Sequence, residues 1–324
     1  MEVKVLKTFE LTDKDWNRIV SGFNRTFNRN TTKERLVGLY TSSVTGYSYH
    51  AVGYEHDTIA GFTSVIPFRY LYKEQEFNVG LMCSAFVLQE YRGAFLFKEL
   101  SESLKAVCLK QGCTVLLGVP NKNSHKYLTA FLGFNNVDTL PYYALPVRWL
   151  IVLKKDNFLF VNAISAFLVT FFCFVNKVFS WIIPLKEKRS VYQLLITDEF
   201  LEKRFSASCY TRSTRKNIKF CYRMVDEQGI KAAYLMDFRE NNNRTNKALC
   251  TAVWHILRKE KTDIILYVGT LRLKQGLLLK VPLSFTPKPL PLIFNILDLS
   301  TKEQFDAMSD MNLWDFGLIN FDGR

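Results

Sequence analysis

Residues 80–100 read GLMCSAFVLQEYRGAFLFKEL, and residues 113–134 read CTVLLGVPNKNSHKYLTAFLGF. Positions 80–88 are apolar enough for a strand buried on both faces, and they run into Gln89-Glu90-Tyr91-Arg92-Gly93-Ala94, a turn from which a helix must start. Apolar residues at three- and four-residue spacing carry that helix from Phe95 to about Lys110, and Gln111-Gly112 closes it. A second strand is predicted from Thr114 to Val119. Pro120-Asn121-Lys122-Asn123-Ser124 then offers an N-cap to a shorter helix, Ser124 to Leu132, ended by Gly133-Phe134. Strand, glycine-containing turn, helix, strand and capped helix follow one another without interruption.

In that order, VLQEYRGAFLFKEL (Val87–Leu100) and NSHKYLTAFLGF (Asn123–Phe134) resemble the GNAT (GCN5-related N-acetyltransferase) acyltransferases. The resemblance implies an α+β fold, a GNAT-like mixed sheet flanked by helices. It also implies acetyl-CoA or another acyl-CoA as co-substrate. The first block then matches the family's pyrophosphate loop, Tyr-Arg-Gly-x-Gly, so Arg92, Gly93 and Ala94 would hold the two phosphates. Phe86 and Val87 would hold the pantetheine arm through their backbone, and Asn123 and Ser124 would meet its amides. Negative phosphates suit the free N–H groups and positive dipole end of a helix N-terminus. The family's second loop glycine falls on Phe95, which either crowds the phosphates or forces another backbone conformation. Its frequent general-acid tyrosine falls on Thr129, leaving Tyr127 and His125 as the nearest proton donors to a leaving thiolate.

The chain has 324 residues, which predicts two domains of ordinary size, and 43 Lys+Arg against 30 Asp+Glu, a net charge of +13. That balance favours anionic partners: coenzyme phosphates, acidic lipid or nucleic acid. Seven cysteines without a Cys-x-x-Cys pair or a histidine cluster argue against a disulfide framework and against a structural metal, and fit a reducing cytoplasm. Met1 to Lys7 alternates charged and apolar residues, a strand pattern and not a secretory leader.

In chain order, Val3–Leu11 reads as a strand, and Thr12, Asp13 and Asp15 start a helix. A polar region follows from Asn28 to Glu34. Strands are predicted at Ser48–Tyr54 and Thr58–Pro67 around Glu55-His56-Asp57, then at Phe68–Tyr72 and Phe77–Leu88. Glu55, His56, Cys83, Ser84 and Glu90 are the candidates for a base near the acceptor. Asp138–Leu150 is expected to close the first domain as an edge strand.

Phe158–Ile183 has one charge, Lys177, and is long enough to span a bilayer. On a helix, Asn162, Ser165, Cys173, Asn176 and Ser180 share one sector, and phenylalanine and aliphatic residues fill the rest. Three readings stay open: a helix lying on the membrane, a helix buried between domains or subunits, and a span. Basic flanks on both sides, Lys154-Lys155 and Lys186 to Arg189, suit a segment that begins and ends in the cytoplasm at the inner face of the membrane.

The expected organisation is a GNAT-like acyl-CoA domain over 1–150, a hydrophobic linker helix over 151–189 and a second, degenerate GNAT-like unit over 190–324. In the last, strands are predicted at 190–198, 221–224, 230–237 and 263–268, and helices from Glu199 and over Asn246–Lys259. No Arg-Gly loop precedes the Asn246 helix, so a second coenzyme site is not expected. The ending, Leu313 to Asp322, resembles the last strand of two-unit GNAT proteins from bacterial surface-polysaccharide clusters. The resemblance implies N-acetyl transfer to a small-molecule amine, an amino sugar of a polysaccharide precursor. Two other readings remain: a Fem-like transferase using aminoacyl-tRNA, motivated by the basic surface, and a non-catalytic membrane-docked module, motivated by Phe95 and Thr129.

Overall fold

The computed structural model describes residues 1–56, 58–93, 95–153 and 159–321. Its contacts divide the chain into two compact units, each assembled from separated stretches. Unit 1 takes residues 1–139, 191–207 and 290–314; unit 2 takes 140–190, 208–289 and 315–324.

Unit 1 begins with β1 (Glu2–Lys7), α1 (Asp13–Phe27) and α2 (Lys33–Tyr40). Thr12 and Asp15 close a capping box on α1, satisfying N–H groups that the helix cannot. The antiparallel meander β2 (Tyr49–Glu55), β3 (Thr58–Tyr72) and β4 (Gln75–Val87) follows. β3 runs unbroken through Pro67, where two separate strands were expected. At its start, His56 takes φ 50° and Asp57 lies outside the described residues.

α3 (Leu96–Lys110) leads from β4 to β5 (Cys113–Gly118), which pairs with β4 in parallel. Leu96, Leu100, Leu104 and Cys108, one per turn, are buried in one core with Val65, Met82 and Leu116. Each buried leucine contributes about 1.5–3 kcal/mol of transfer free energy. Gly61 lets α3 lie close on the sheet, since a Cβ there would sit 2.9 Å from Leu100 Cδ1.

α4 (Lys122–Phe131) and β6 (Asn135–Thr139) follow, and later chain completes the sheet. That chain comprises β8 (Tyr192–Leu194), α7 (Asp198–Arg204), β14 (Pro291–Ile296) and the short β15 (Trp314–Asp315). The order is β1-β2-β3-β4-β5-β14-β6, with β8 on β3 and β15 on β8.

Unit 2 holds a second sheet, ordered β13-β7-β12-β11-β10-β9. Its strands are β7 (Tyr142–Pro146), β9 (Thr211–Arg215), β10 (Ile218–Glu227), β11 (Ile230–Glu240), β12 (Ile264–Val268) and β13 (Leu279–Lys280). Before its closing turn its helices are the short α5 (Trp149–Val152), then α6 (Leu159–Ile182) and α8 (Asn246–Lys259). The stretch expected to edge the first domain supplies β7 here instead, because its alternation of Tyr142, Ala144 and Pro146 pairs with Ile264–Val268. The hairpin β10–β11, the crossing helix α8 and the parallel strand β12 repeat the order β3, β4, α3, β5 of unit 1. The expected closing strand is a two-residue pairing followed by a helical turn, α9 (Leu318–Phe321), and Asp322 lies outside the described residues.

Candidate functional site

The two central strands of unit 1 part company before β4 ends. Parallel pairing runs from Asn78 opposite Cys113 to Met82 opposite Gly118. Beyond it β4 continues against β3, with Phe86 opposite Phe62 and Val87 opposite Gly61. From Cys83 to Val87 the edge of β4 on the β5 side therefore has no strand partner among the described residues. Backbone groups on such an edge can bond an extended ligand that carries amides. A bulge falls in this segment: Ser84 has φ 55°, and the β3–β4 register shifts between Phe62 and Ser64. Bulges re-aim nearby groups. The Phe86 side chain is buried and stacks on Phe62, so Phe86 offers only its backbone.

The turn after β4 begins as a short 3-10 helix, Gln89–Tyr91. Arg92 is extended, and Gly93 has φ 96°, a conformation that side chains resist. A Cβ on Gly93 would meet nothing within 4 Å, so the space above the turn is open to a ligand. Ala94 lies outside the described residues. The first intrahelical bond of α3 runs from Glu99 N–H to Phe95 O, which leaves the N–H groups of Leu96, Phe97 and Lys98 ahead of the ladder. Together with the helix dipole these form an anion cradle. Arg92 Nε donates to Val87 O at 3.2 Å, fastening the turn to the free strand edge, and Arg25 pairs with Glu90 at 2.9 Å. A turn of this kind could hold an anion, and the strand edge beside it could pair with an extended ligand.

Phe95 stands where a glycine was expected, and its backbone has taken the glycine-like conformation, φ 57° and ψ 5°, with the ring 76% exposed. The ring turns to solvent and the backbone bears the strain. Phe95→Gly should raise stability by roughly 0.5–1 kcal/mol, the left-handed penalty of about 1–2 kcal/mol less glycine's extra freedom in the unfolded chain. Urea denaturation checks it; a loss of stability would show that the ring has a packing role.

α4 begins at Lys122, two residues before the expected start, and the cap within the expected segment is Asn121, whose side-chain Oδ1 accepts from the N–H groups of Asn123 and Ser124, each at 3.0 Å. Those two residues therefore offer a ligand their side chains, not their N–H groups. The two proton-donor candidates diverge. His125 Nε2 bonds Asn136 Oδ1 at 2.6 Å, toward β6. Tyr127 packs against Phe97, 5.2 Å between ring centres, which brings it to the first turn of α3. Among the described residues its hydroxyl makes no hydrogen bond. Thr129 bonds back to His125 O within its own helix.

The carboxylate base candidates are poor bases. The terminal ammonium, 3.0 Å from Glu55, holds that carboxyl below its usual range. Glu90 is held low by its own backbone N–H and by Arg25. Burial pushes the Cys83 thiol up to about 12. His56 is exposed at a hairpin tip.

Sequence reading missed a buried polar group behind the bulge. Tyr40 ends α2, a helix capped by Thr32 in what read as a polar stretch, and its hydroxyl lies beside Ser64 and Ser84 without completing a bond. Burial raises its pKa. His50 bridges Ser64 at 2.8 Å and Thr8 at 2.9 Å, and burial pushes it down to about 3, so it stays neutral. Arg204 on α7, also buried, donates to Ser42 Oγ at 3.1 Å. The apolar spacing of Leu36 and Tyr40 after Thr32 was the available signal.

Unit 2 closes the corresponding place. Its β10–β11 register also shifts, between Cys221 and Tyr222, but the residue before the α8 cap is Arg244, whose guanidinium is buried among carboxylates. Asn246 opens α8 tied to Leu185 N–H at 2.8 Å and to Ile183 O at 2.9 Å. Among the described residues no group of three or more His, Cys, Asp or Glu could hold a metal ion.

No family model matches the sequence, and no curated protein matches it either. Solved structures do. A probable N-acyltransferase of Enterococcus faecalis superposes with TM-score 0.55 at 10% identity, over 93% of this chain and 74% of its own. A GCN5-related N-acetyltransferase from Anabaena variabilis gives 0.56 at 10% identity, over 92% and 74%. Another, from Kribbella flavida, gives 0.54 at 10%, over 92% and 72%. The chain has the GNAT fold, a mixed α/β architecture of large mixed sheets flanked by helices.

Proposed function

We propose that this protein is an N-acyltransferase that takes its acyl group from acyl-coenzyme A, acetyl-CoA being the simplest donor, and passes it to a small-molecule amine. The observation that carries this reading is the open turn Arg92-Gly93 ahead of α3, joined to the unpaired β4 edge from Cys83 to Val87. The fold shared with known N-acetyltransferases supports it. The coenzyme supplies an activated thioester and a good leaving thiolate.

Each residue has a definite task. Arg92, Gly93 and Ala94, with the N–H groups of Leu96 to Lys98, hold the phosphates. Phe86 and Val87 hold the pantetheine arm by their backbone, and Asn123 and Ser124 meet its amides with their side chains. A backbone N–H near the Ser84 bulge steadies the oxyanion. Tyr127, by its place against Phe97, donates the proton to the leaving thiolate, and His125 is the lesser candidate because Asn136 holds it. With weak bases around the acceptor, the amine must arrive neutral or lose its proton through water. An amino sugar of a surface-polysaccharide precursor, acylated in the cytoplasm, is the acceptor we would try first.

Turnover of acetyl-CoA with a panel of amines, followed by thiol release, tests the proposal. Tyr127→Phe is expected to lower kcat about 10–100-fold with little change in KM for the coenzyme. Failure of the protein to bind any acyl-CoA at millimolar concentration would overturn it, and salt-dependent tRNA binding in its place would favour an aminoacyl-tRNA donor.

A further inference from the structure

The amphipathicity of α6 is inverted. It has 24 residues, a length of about 36 Å, and turns its small and polar side chains toward the body of unit 2. Asn162, Ser165, Cys173 and Ser180 are buried. Asn162 Oδ1 accepts from Leu150 N–H at 3.2 Å, and Ser165 Oγ donates to Val147 O at 3.1 Å. The helix packs along α8, where Cys173 and Ser180 lie beside Cys250. Its large apolar side chains face outward along the whole length: Phe160, Phe167, Phe171, Phe179, Trp181 and Ile182 are all exposed, Phe167 by 70% and Phe171 by 60%. Scattered surface leucines need no explanation, but a continuous aromatic face this long does.

The border of that face is cationic. Lys177 lies over the Trp254 ring, 5.2 Å from its centre, and burial together with Arg215 and Arg258 depresses its ammonium pKa. Lys247 lies over Trp181 at 4.3 Å, and Lys186 and Lys188 follow the helix, exposed. Facing this cluster, Glu260 acts on His255, and Glu240 pairs Lys247.

We propose that the outward face of α6 docks the protein in the plane of an anionic lipid surface, the aromatic side chains entering the acyl boundary and the flanking cations meeting headgroups. Charge selects this occupant over a second copy of the chain. A two-fold pairing about an axis along the helix would set its cationic border against itself, whereas anionic headgroups complement that border in any orientation. A span is disfavoured for a related reason: α8, held along α6, would carry Arg258 and Lys259 of its last turn into hydrocarbon. The inference is independent of the acyl-transfer reading.

Flotation of the full chain with vesicles tests it, using phosphatidylcholine alone and phosphatidylcholine mixed equally with phosphatidylglycerol. Binding to the anionic vesicles should be at least tenfold tighter and weaken with salt. Phe167→Ser combined with Phe171→Ser should reduce it at least tenfold while leaving the melting curve unchanged, since both rings are exposed. Arg258→Gln should reduce it about fivefold, the factor that corresponds to about 1 kcal/mol for one cation near such a surface. Equal binding to both vesicle types, or no binding, would overturn the proposal. A concentration-dependent dimer abolished by the double variant would assign the face to a second copy. Resistance of the membrane-bound protein to alkaline carbonate would assign it to a span.

Discussion

Arg92→Glu is expected to weaken coenzyme A binding by at least about a hundredfold while leaving the unfolding midpoint nearly unchanged. Arg92 is exposed, and its Nε donates to Val87 O in a surface bond on which little of the fold depends. Toward a pyrophosphate its role is larger. A hydrogen bond to a charged group contributes about 1.5–3 kcal/mol, and reversing the charge adds repulsion to that loss. Every 1.4 kcal/mol is tenfold in affinity. Isothermal titration with acetyl-CoA and with coenzyme A reads the effect directly, and Arg92→Gln should fall between wild type and Arg92→Glu. Equal affinity in all three proteins would remove the coenzyme from this turn, whatever the turnover assay then shows.

That turn was legible in the sequence because its shape is written locally. A glycine at φ 96° after a buried strand and before a periodic helix needs no distant partner to be recognised. α8 was legible at both ends for the same reason: a threonine cap at 245, apolar spacing through Ile256, and cations in the last turn. What the sequence hid is non-local. β14 enters the first sheet between β5 and β6, pairing Phe294 with Leu117 on one side and with Asn135 on the other. Nothing in Pro291–Ile296 specifies that place, since any short apolar strand would satisfy the local pattern. Residues 191–207 likewise return to unit 1, and the stretch after Leu140 leaves it. The bulge at Ser84 is a relation between two strands, so neither β3 nor β4 read alone predicts it, and Tyr40 became visible only once the bulge was placed beside it. Residues 158–183 gave a helix and a polar sector from the sequence. Which side of the helix faces protein required the structure, and the answer is the reverse of an ordinary surface helix.

Arg244→Met is expected to destabilise unit 2 by about 3–5 kcal/mol, the largest stability effect of any substitution considered. Arg244 is 1% exposed and lies 2.7 Å from Asp315, 3.4 Å from Glu187 and 3.5 Å from Asp237, with its guanidinium over the Tyr267 ring. Arg239 pairs Asp237 at 2.8 Å and Asp315 at 3.5 Å. Two guanidinium groups thus serve three carboxylates, and removing one strands buried negative charge. Neutralising a partner as well, Arg244→Met with Asp315→Leu, should recover part of the loss, because it is the unpaired charge and not the missing bond that costs most. The acid side of the stability profile follows from the same groups. Burial would raise the Asp315 pKa, but Arg244 and Arg239 hold it below the usual aspartate value, so its contribution is present above that value and is lost only as pH falls through the lowered one. Burial lifts Glu187 above the usual glutamate range despite Arg244, so ionising it costs stability as pH rises through its raised pKa. Mild acid should therefore stabilise the cluster slightly before strong acid breaks it. Urea unfolding across that pH range, followed separately for the two units, checks both signs; a monotonic loss of unit 2 stability from neutral pH downward, identical in Glu187→Gln, would show that the network does not govern it.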